Sequence, residues 1–224
     1  KQLDSLADAV TFGVLPGMLL FHWISISLGD YYVPVTQRDP LHLAMEMVAM
    51  VVPLMAILRL AIFNIDTNQS DQFIGMPTPA MALFVSSFPM IMELKYELNF
   101  YSPLTTDQGL SALMHIHRWW QPIDFHTILL LWNPVFYMVV SVVLAFFMVA
   151  KIPMLNFKFK SFDWVSNKQR YIFLILVAFI LLLIPLPYLI RIRYLPYLDY
   201  AVIPIILLLY LLYSIVVHLI SSKR

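Results

Sequence analysis

Hydrophobic residues run through this chain in long unbroken blocks. Six stretches, at approximately 6–28, 41–63, 78–98, 126–150, 171–190 and 198–220, are each apolar over about 18–25 residues, and short polar segments separate them. Blocks of that length match a helix crossing a hydrocarbon layer about 30 Å thick, so the pattern predicts six transmembrane spans. The fourth, from His126 through Ile128 and Trp132 to Ala150, is almost free of charge. In the third, Pro89 interrupts the run, and Glu93, Lys95 and Glu97 close it. Pro53 and Pro204 also fall inside spans, where neighbouring helices can satisfy the carbonyls a proline frees. No repeat and no soluble domain stands out. The expected fold class is all-α, a polytopic membrane helix bundle forming a single membrane-embedded domain over 1–224.

Composition settles the solvent. Hydrophobic residues make up 61% of the chain and charged residues 12%, against about 25% charged in soluble domains. Cysteine is absent, which removes disulfides and thiolate metal sites. A net charge of +1 argues against a nucleic-acid partner. Lys1 is not an initiator Met and no signal peptide opens the chain, so it reads as truncated at its start. Six spans put the N-terminus, the 64–77 and 151–170 loops and the C-terminus on one side. Counting Arg59 at a helix end, nine of the Lys and Arg residues fall there and five on the other (Arg38, Lys95, Arg118, Arg191 and Arg193), which predicts that this side faces the cytoplasm. The 151–170 stretch interleaves basic and aromatic residues, either as the ordinary positive-inside signal or as a loop lying on anionic headgroups.

Within this apolar background Asp4 and Asp8 stand four residues apart, at the entrance to the first span. On a helix that spacing puts both carboxylates on one face, separated by about 6 Å of rise. An ionised carboxylate deep in a bilayer costs about 2.5–3.5 kcal/mol, so the pair implies a cation, water or polar ligand beside it. The plainer alternative is a solvated helix N-terminus whose acids complement the dipole.

Three segments then carry a resemblance. Asp4 and Asp8 match the end of the signature D-G-x2-A-R-x8-G-x3-D-x3-D, with Lys1-Gln2-Leu3 as the last spacer and the preceding Gly falling just before Lys1. Leu58-Arg-Leu-Ala-Ile-Phe-Asn64 is similar to R-L-A-R-F-N, and Phe73-Ile-Gly-Met-Pro-Thr-Pro-Ala80 to F-x-G-L-P-x-P-A. On these motifs the chain resembles the CDP-alcohol phosphatidyltransferase family. The flanking Leu3-Asp-Ser-Leu-Ala-Asp8 and Val10-Thr-Phe-Gly-Val-Leu-Pro16 are most similar to the branch that uses serine. The match covers the first 80 residues; beyond them only the hydrophobic helix pattern agrees. The D-G-x2-A-R half is missing from the chain, and Ile62 stands where many relatives carry a second Arg.

The resemblance implies transfer of the phosphatidyl group of CDP-diacylglycerol to the hydroxyl of L-serine, releasing CMP, with Mg²⁺ or Mn²⁺ as cofactor. Hard carboxylate oxygens suit those ions, and metals bridging phosphate oxygens offset the charge that repels a nucleophile. It further implies that Asp4 is a metal ligand, that Asp8 is both metal ligand and catalytic base, and that Thr11, Arg59, Asn64, Gly75 and Pro77 bind substrate. Arg59 and Asn64 would hold the serine carboxylate or a phosphate; read alone, they are an interfacial helix end with a snorkelling Arg. Gly75, Pro77 and Pro79 read alone as a loop-to-helix transition. The family layout adds two spans upstream, a possible homodimer, membrane lipids as neighbours, and a bacterial or archaeal cell membrane with the active site facing the cytoplasm.

Two other functions compete. A relative in the same superfamily would use glycerol 3-phosphate or inositol phosphate, but glycerophosphate-type relatives carry D-P-x-A-D-K around the two aspartates, whereas here Ser5 follows Asp4 and Ala9 follows Asp8. A transporter or channel would place its ionisable groups nearer the midplane, while Asp4, Asp8 and Arg59 cluster at one edge. His115, His117, Asp124 and His126 have metal-ligating side chains, but Trp119 and Trp120 beside them favour an interfacial belt. Tyr194, Tyr197, Asp199 and Tyr200 read as a second belt, and His218 as a helix-end residue. His42 and Glu46, at the start of the second span, are expected at the interface or inside the bundle on the side away from Asp4.

Overall fold

The computed structural model describes residues 2–65, 73–96, 129–157, 159, 163–183 and 201–221. Its elements are α1 (Gln2–Ala9), a π-helical turn (Val10–Val14), α2 (Leu15–Leu28), α3 (Pro40–Met47), α4 (Val51–Ile65), α5 (Thr78–Tyr96), α6 (Pro134–Val149), α7 (Trp164–Leu183) and α8 (Val202–Ser221). A two-stranded antiparallel pair, β1 (Phe73–Ile74) with β2 (Pro153–Met154), is the only sheet among the described residues.

Pro16 shapes the first span. It has no N–H for the carbonyl of Phe12 and its ring would press on that carbonyl, so a regular α-helix cannot run through it unchanged. The chain widens instead, and the Leu15 N–H reaches back five residues to the Val10 carbonyl. Ser5–Leu28 therefore remains one apolar helical run of 24 residues. Gly29, at φ 81°, ends it; the Asp30 N–H returns to the Ser25 carbonyl at 2.9 Å and the Gly29 N–H to that of Ile26 at 3.0 Å.

The second span, Pro40–Ile65, is likewise continuous over 26 residues, with a 3₁₀ turn at Val48–Met50 just before Pro53. It crosses the first span closely because Gly13 and Gly17 carry no side chain there. A Cβ on Gly17 would lie 2.6 Å from Pro53 Cδ, and one on Gly13 2.9 Å from Ala56 Cβ. Small residues four apart let the two backbones approach, as membrane helices do where hydrophobic pressure between them is lacking.

α4 packs most extensively on α6, and α2 on α6 next, while α5 lies against α8 and α2. Leu20, Trp23 and Ile24 of α2, Val52 and Ala56 of α4, Phe84, Val85 and Phe88 of α5, and Tyr137 and Leu144 of α6 make the core. Trp23 stacks on Tyr137 with ring centroids 5.8 Å apart. The outward faces stay apolar: Leu54 and Ile57 on α4, Val139, Val142 and Phe146 on α6, and Leu208, Leu212 and Val216 on α8 are exposed. Helices apolar on both faces belong in hydrocarbon. Ser5–Leu28, Pro40–Ile65 and Val202–Ile220 are each long and apolar enough to cross a membrane, and the shorter Thr78–Met92 and Pro134–Val149 are also apolar. The expected all-α membrane helix bundle is what forms.

Some boundaries differ from the hydrophobic pattern. The block read as continuous over 126–150 is broken: a helical segment ends at Leu131, Trp132 turns, and α6 starts afresh at Pro134. Asn133 is the cause, since its side chain accepts from the Val135 N–H at 2.9 Å and proline suits the first helical turn. α7 begins seven residues before the expected 171, because Trp164 to Arg170 forms about two largely polar turns that a hydropathy window passes over. Pro89 does not interrupt α5. The His115, His117, Asp124 and His126 group, and Tyr194, Tyr197, Asp199 and Tyr200, lie outside the described residues.

Candidate functional site

α1 and α4 run antiparallel, so the start of the first span meets the end of the second. The Asn64 side-chain amide donates to Ser5 Oγ at 3.0 Å, and the Ser5 hydroxyl faces Asn64 Oδ1 at 3.4 Å. Together with the Gly13–Ala56 and Gly17–Pro53 contacts, this sets one register along the whole crossing. By that register Arg59 sits within about 3 Å, along the helix axis, of the level of Asp8. Three of the residues singled out from the sequence, Asp8, Arg59 and Asn64, thus share one end of the bundle. Asp4 occupies the preceding turn of the same helix as Asp8, in regular α geometry, because the π-helical turn starts only at Val10.

Asp8 is half-buried and, among the described residues, has no salt-bridge partner. Thr11 lies within the π-helical turn, exposed, three residues past Asp8. Turns of this kind recur at functional sites because they re-aim the side chains around them. Asn64 is exposed, and Arg59 is half-buried with its Nε sealed from solvent and, among the described residues, without a hydrogen-bond acceptor. A guanidinium N–H left without an acceptor is costly, and an anionic ligand would satisfy it. Arg59 does have a neighbour: Tyr210 of α8 is near enough to interact with it electrostatically.

Gly75 and Pro77 sit differently. At φ 74° Gly75 is in the left-handed region, and a Cβ there would lie 2.4 Å from the Met148 carbonyl oxygen. Its N–H donates to the Ile152 carbonyl at 2.8 Å, and the Met76 N–H to that of Phe147 at 2.9 Å. Those backbone donors are committed to holding the 73–77 segment against the end of α6. Pro77 is half-buried, one residue ahead of α5, and its carbonyl accepts from the Met81 N–H at 3.1 Å. The glycine thereby serves the close packing that brings β1 onto β2.

A divalent metal is tested by the donors present. Carboxylates at positions 4 and 8 are the hard oxygen type that Mg²⁺ and Mn²⁺ prefer, on consecutive turns of one helix. They fit in kind and would supply only part of a coordination shell; no group of three or more His, Asp or Glu is assembled among the described residues.

The sequence reading did not contain the Ser5–Asn64 bond, the π-helical turn or Tyr210. Pro16 in a span and the Gly13–Gly17 spacing signalled the first two indirectly, whereas Tyr210 had no signal, being 151 positions from Arg59. On the opposite side Glu46 is fully buried and paired with Arg38 at 2.6 Å, and His42 Nδ1 meets Asp30 Oδ2 at 2.6 Å.

Comparison with known proteins agrees with the resemblance in the motifs. The chain is 32% identical over 105 residues to the archaetidylserine synthase of Methanothermobacter thermautotrophicus, covering 47% of this chain and 36% of that protein. It is 40% identical over 86 residues to a CDP-diacylglycerol–serine O-phosphatidyltransferase of Helicobacter pylori, covering 38% and 31%. The Bacillus subtilis protein of the same name is 38% identical over 90 residues, covering 39% and 44%. The chain therefore spans between about a third and under half of the length of these curated relatives. No family model and no solved structure matches it.

Proposed function

We propose that the protein transfers the phosphatidyl group of CDP-diacylglycerol to the hydroxyl of L-serine, giving phosphatidylserine and CMP, at the cytoplasmic edge of a bacterial or archaeal cell membrane. The observation that carries this reading is the register that gathers Asp8, Asn64 and Arg59 at one end of an apolar bundle. A lipid substrate arrives through the hydrocarbon and a soluble acceptor through water, so the reaction belongs where the two meet. The names of the relatives agree on serine and differ in the lipid, phosphatidyl in two and archaetidyl in one.

Asp4 and Asp8 would hold a divalent cation, Mg²⁺ or Mn²⁺, which when bound offsets the charge on the diphosphate. Asp8, half-buried and free of a salt-bridge partner among the described residues, takes the serine hydroxyl proton as the oxygen attacks phosphorus. The bond from phosphorus to the oxygen of CMP breaks, and CMP leaves as the anion. Arg59 offers its fork to the serine carboxylate, and Asn64, already oriented by Ser5, adds an amide donor. Thr11 sits one turn beyond Asp8, where a hydroxyl reaches the same space.

The test uses the detergent-solubilised full-length protein with CDP-diacylglycerol, Mg²⁺ or Mn²⁺, and one of serine, glycerol 3-phosphate or inositol phosphate. Serine-dependent CMP release with phosphatidylserine as product is expected. Preference for a phosphorylated acceptor would overturn the serine assignment, and inertness with every acceptor would overturn the enzyme.

A further inference from the structure

We infer that the 151–170 segment is a headgroup platform: a fixed set of exposed aromatic rings and lysines that binds anionic phospholipid of the surrounding bilayer. The inference does not rest on the proposed reaction. Between positions 151 and 170 the sequence places Lys151, Lys158, Lys160, Lys168 and Arg170 against Asp163 alone, in a chain whose net charge is only +1. Basic charge is therefore concentrated here. Phe157, Phe159 and Trp164 are exposed in the same segment, and so are Lys151 and Lys168. A loop that served only to set the orientation of the chain needs the charges and not the rings. At a membrane interface both have a partner, because aromatic bodies settle against acyl chains while ammonium groups meet the phosphates of anionic lipids.

The platform is held in place by contacts at both its ends. The Arg170 Nε–H donates to the Asn156 carbonyl at 2.6 Å, and the same guanidinium donates to Asn167 Oδ1 and lies 5.6 Å from the centre of the Phe159 ring. One cation thus fastens the loop to α7. Tyr171 stacks on Trp164 with ring centroids 5.2 Å apart and lies 5.8 Å from Phe159, while Phe157 is 5.7 Å from Phe173. The exposed rings are therefore fixed as a group by the first turns of α7. Upstream, the Leu155 N–H donates to Ser214 Oγ at 3.1 Å and its carbonyl accepts from the Tyr210 hydroxyl at 2.9 Å, which ties the segment to α8. Depth follows from the helix: only about 10 Å of rise separates Trp164 from Tyr171, and beyond it Ile172, Leu174 and Ile175 are apolar and exposed, as lipid-facing residues are. The rings and lysines stand at headgroup level.

The test uses the full-length protein in phosphatidylcholine vesicles, with phosphatidylglycerol as the anionic probe, and it needs no turnover. The fluorescence of Trp164 is taken as the difference between the wild type and Trp164→Phe. A lysine near an anionic surface is worth about fivefold in association, so brominated phosphatidylglycerol should quench that signal at a mole fraction at least about fivefold lower than brominated phosphatidylcholine. Salt should narrow the gap. Lys151→Gln combined with Lys168→Gln should reduce the preference about fivefold or more, whereas arginine at both positions should keep it, since the charge is retained. Equal quenching by the two lipids, unchanged by salt or by the glutamine variant, would overturn the anionic site. Quenching by aqueous acrylamide and by neither lipid would overturn the platform itself and make the segment a solvated loop or a surface for a soluble protein. A protein that makes no phosphatidylserine yet shows the lipid preference would sink the proposed reaction and leave the platform standing.

Discussion

Asp30, Arg38, His42 and Glu46 gather at one end of the bundle; Asp4, Asp8, Arg59 and Asn64 gather at the other. At the first end the charges answer one another. Arg38 and Glu46 are 7% and 0% exposed and 2.6 Å apart, Arg38 also donates to the Val33 carbonyl at 2.9 Å, and His42 meets Asp30. At the second end neither Arg59 nor Asp8 has an ionic partner among the described residues, and Arg59 Nε, like Glu46 Oε1 at the first end, has no hydrogen-bond partner there. The first arrangement fixes the hairpin between α2 and α3. The second leaves charge without an ionic partner among the described residues, an arrangement that costs free energy and that a bound ligand would relieve. Both ends hold similar residue types, so it is ion pairing, rather than the presence of charge, that distinguishes the scaffold end from the candidate site.

The comparison breaks most sharply on chemistry. Asp8→Asn should lower CMP release by about 10²–10⁴-fold, the usual worth of a positioned base, while binding of CDP-diacylglycerol persists because most ligands remain. Asp4→Asn should weaken metal-dependent binding as well as turnover. Near-normal activity in either variant, at matched protein level, would remove that residue from the site. At the other end the largest effect falls on stability. Arg38→Ala strands the buried Glu46 carboxylate and should cost about 3–5 kcal/mol, seen as a lower apparent Tm in detergent. Turnover per folded molecule should stay within about twofold; a kinetic loss without a thermal one would mean that the ion pair reaches the active end.

The scaffold was easier to read in the sequence than the site, for a physical reason. Apolar blocks report on solvent, and solvent alone nearly decides that these residues are helices in a membrane. Where one polar residue overrides the block, as Asn133 does by capping α6, hydropathy averages it away. Asp8, Arg59 and Asn64 stand out as candidates because short motifs contain them, and their placement at one end follows from antiparallel neighbours in sequence. Glu46 was expected at the interface or inside the bundle, but its partner Arg38 lies in the preceding loop and no periodicity links the two. Tyr210 was invisible, since only the folded chain brings α8 to Arg59. Gly75 illustrates the reverse case: a motif pointed at it, and its backbone serves packing against Met148.

A smaller effect sharpens the link between scaffold and site. Gly17→Ala inserts a methyl 2.6 Å from the Pro53 ring, a contact that a rigid proline cannot relieve by rotation. Overpacking of this kind typically costs about 1–3 kcal/mol, and the crossing of the first two spans should widen. Since the same register carries Ser5 to Asn64, turnover should fall together with Tm. Loss of Tm with unchanged kinetics would show that the site tolerates a shifted crossing.

The smallest expected effect is the most discriminating. Ser5→Ala removes a side-chain hydrogen bond at an exposed position, where competition from water keeps its net worth at the low end of about 0.5–1.5 kcal/mol, so Tm should barely move. If Asn64 serves only the helix end, nothing else should change. If Asn64 is an acceptor contact oriented by Ser5, its amide is now free to rotate, and the KM for serine should rise about two- to fivefold with that for CDP-diacylglycerol unchanged. Asn64→Ala should raise it at least as far, and the double variant no further than Asn64→Ala alone, since the effect of Ser5 on serine binding would pass through that amide. A Ser5→Ala protein with a lowered Tm and an unaltered KM would return this contact to the scaffold, and with it the boundary between the two ends would move up to Asp8 itself.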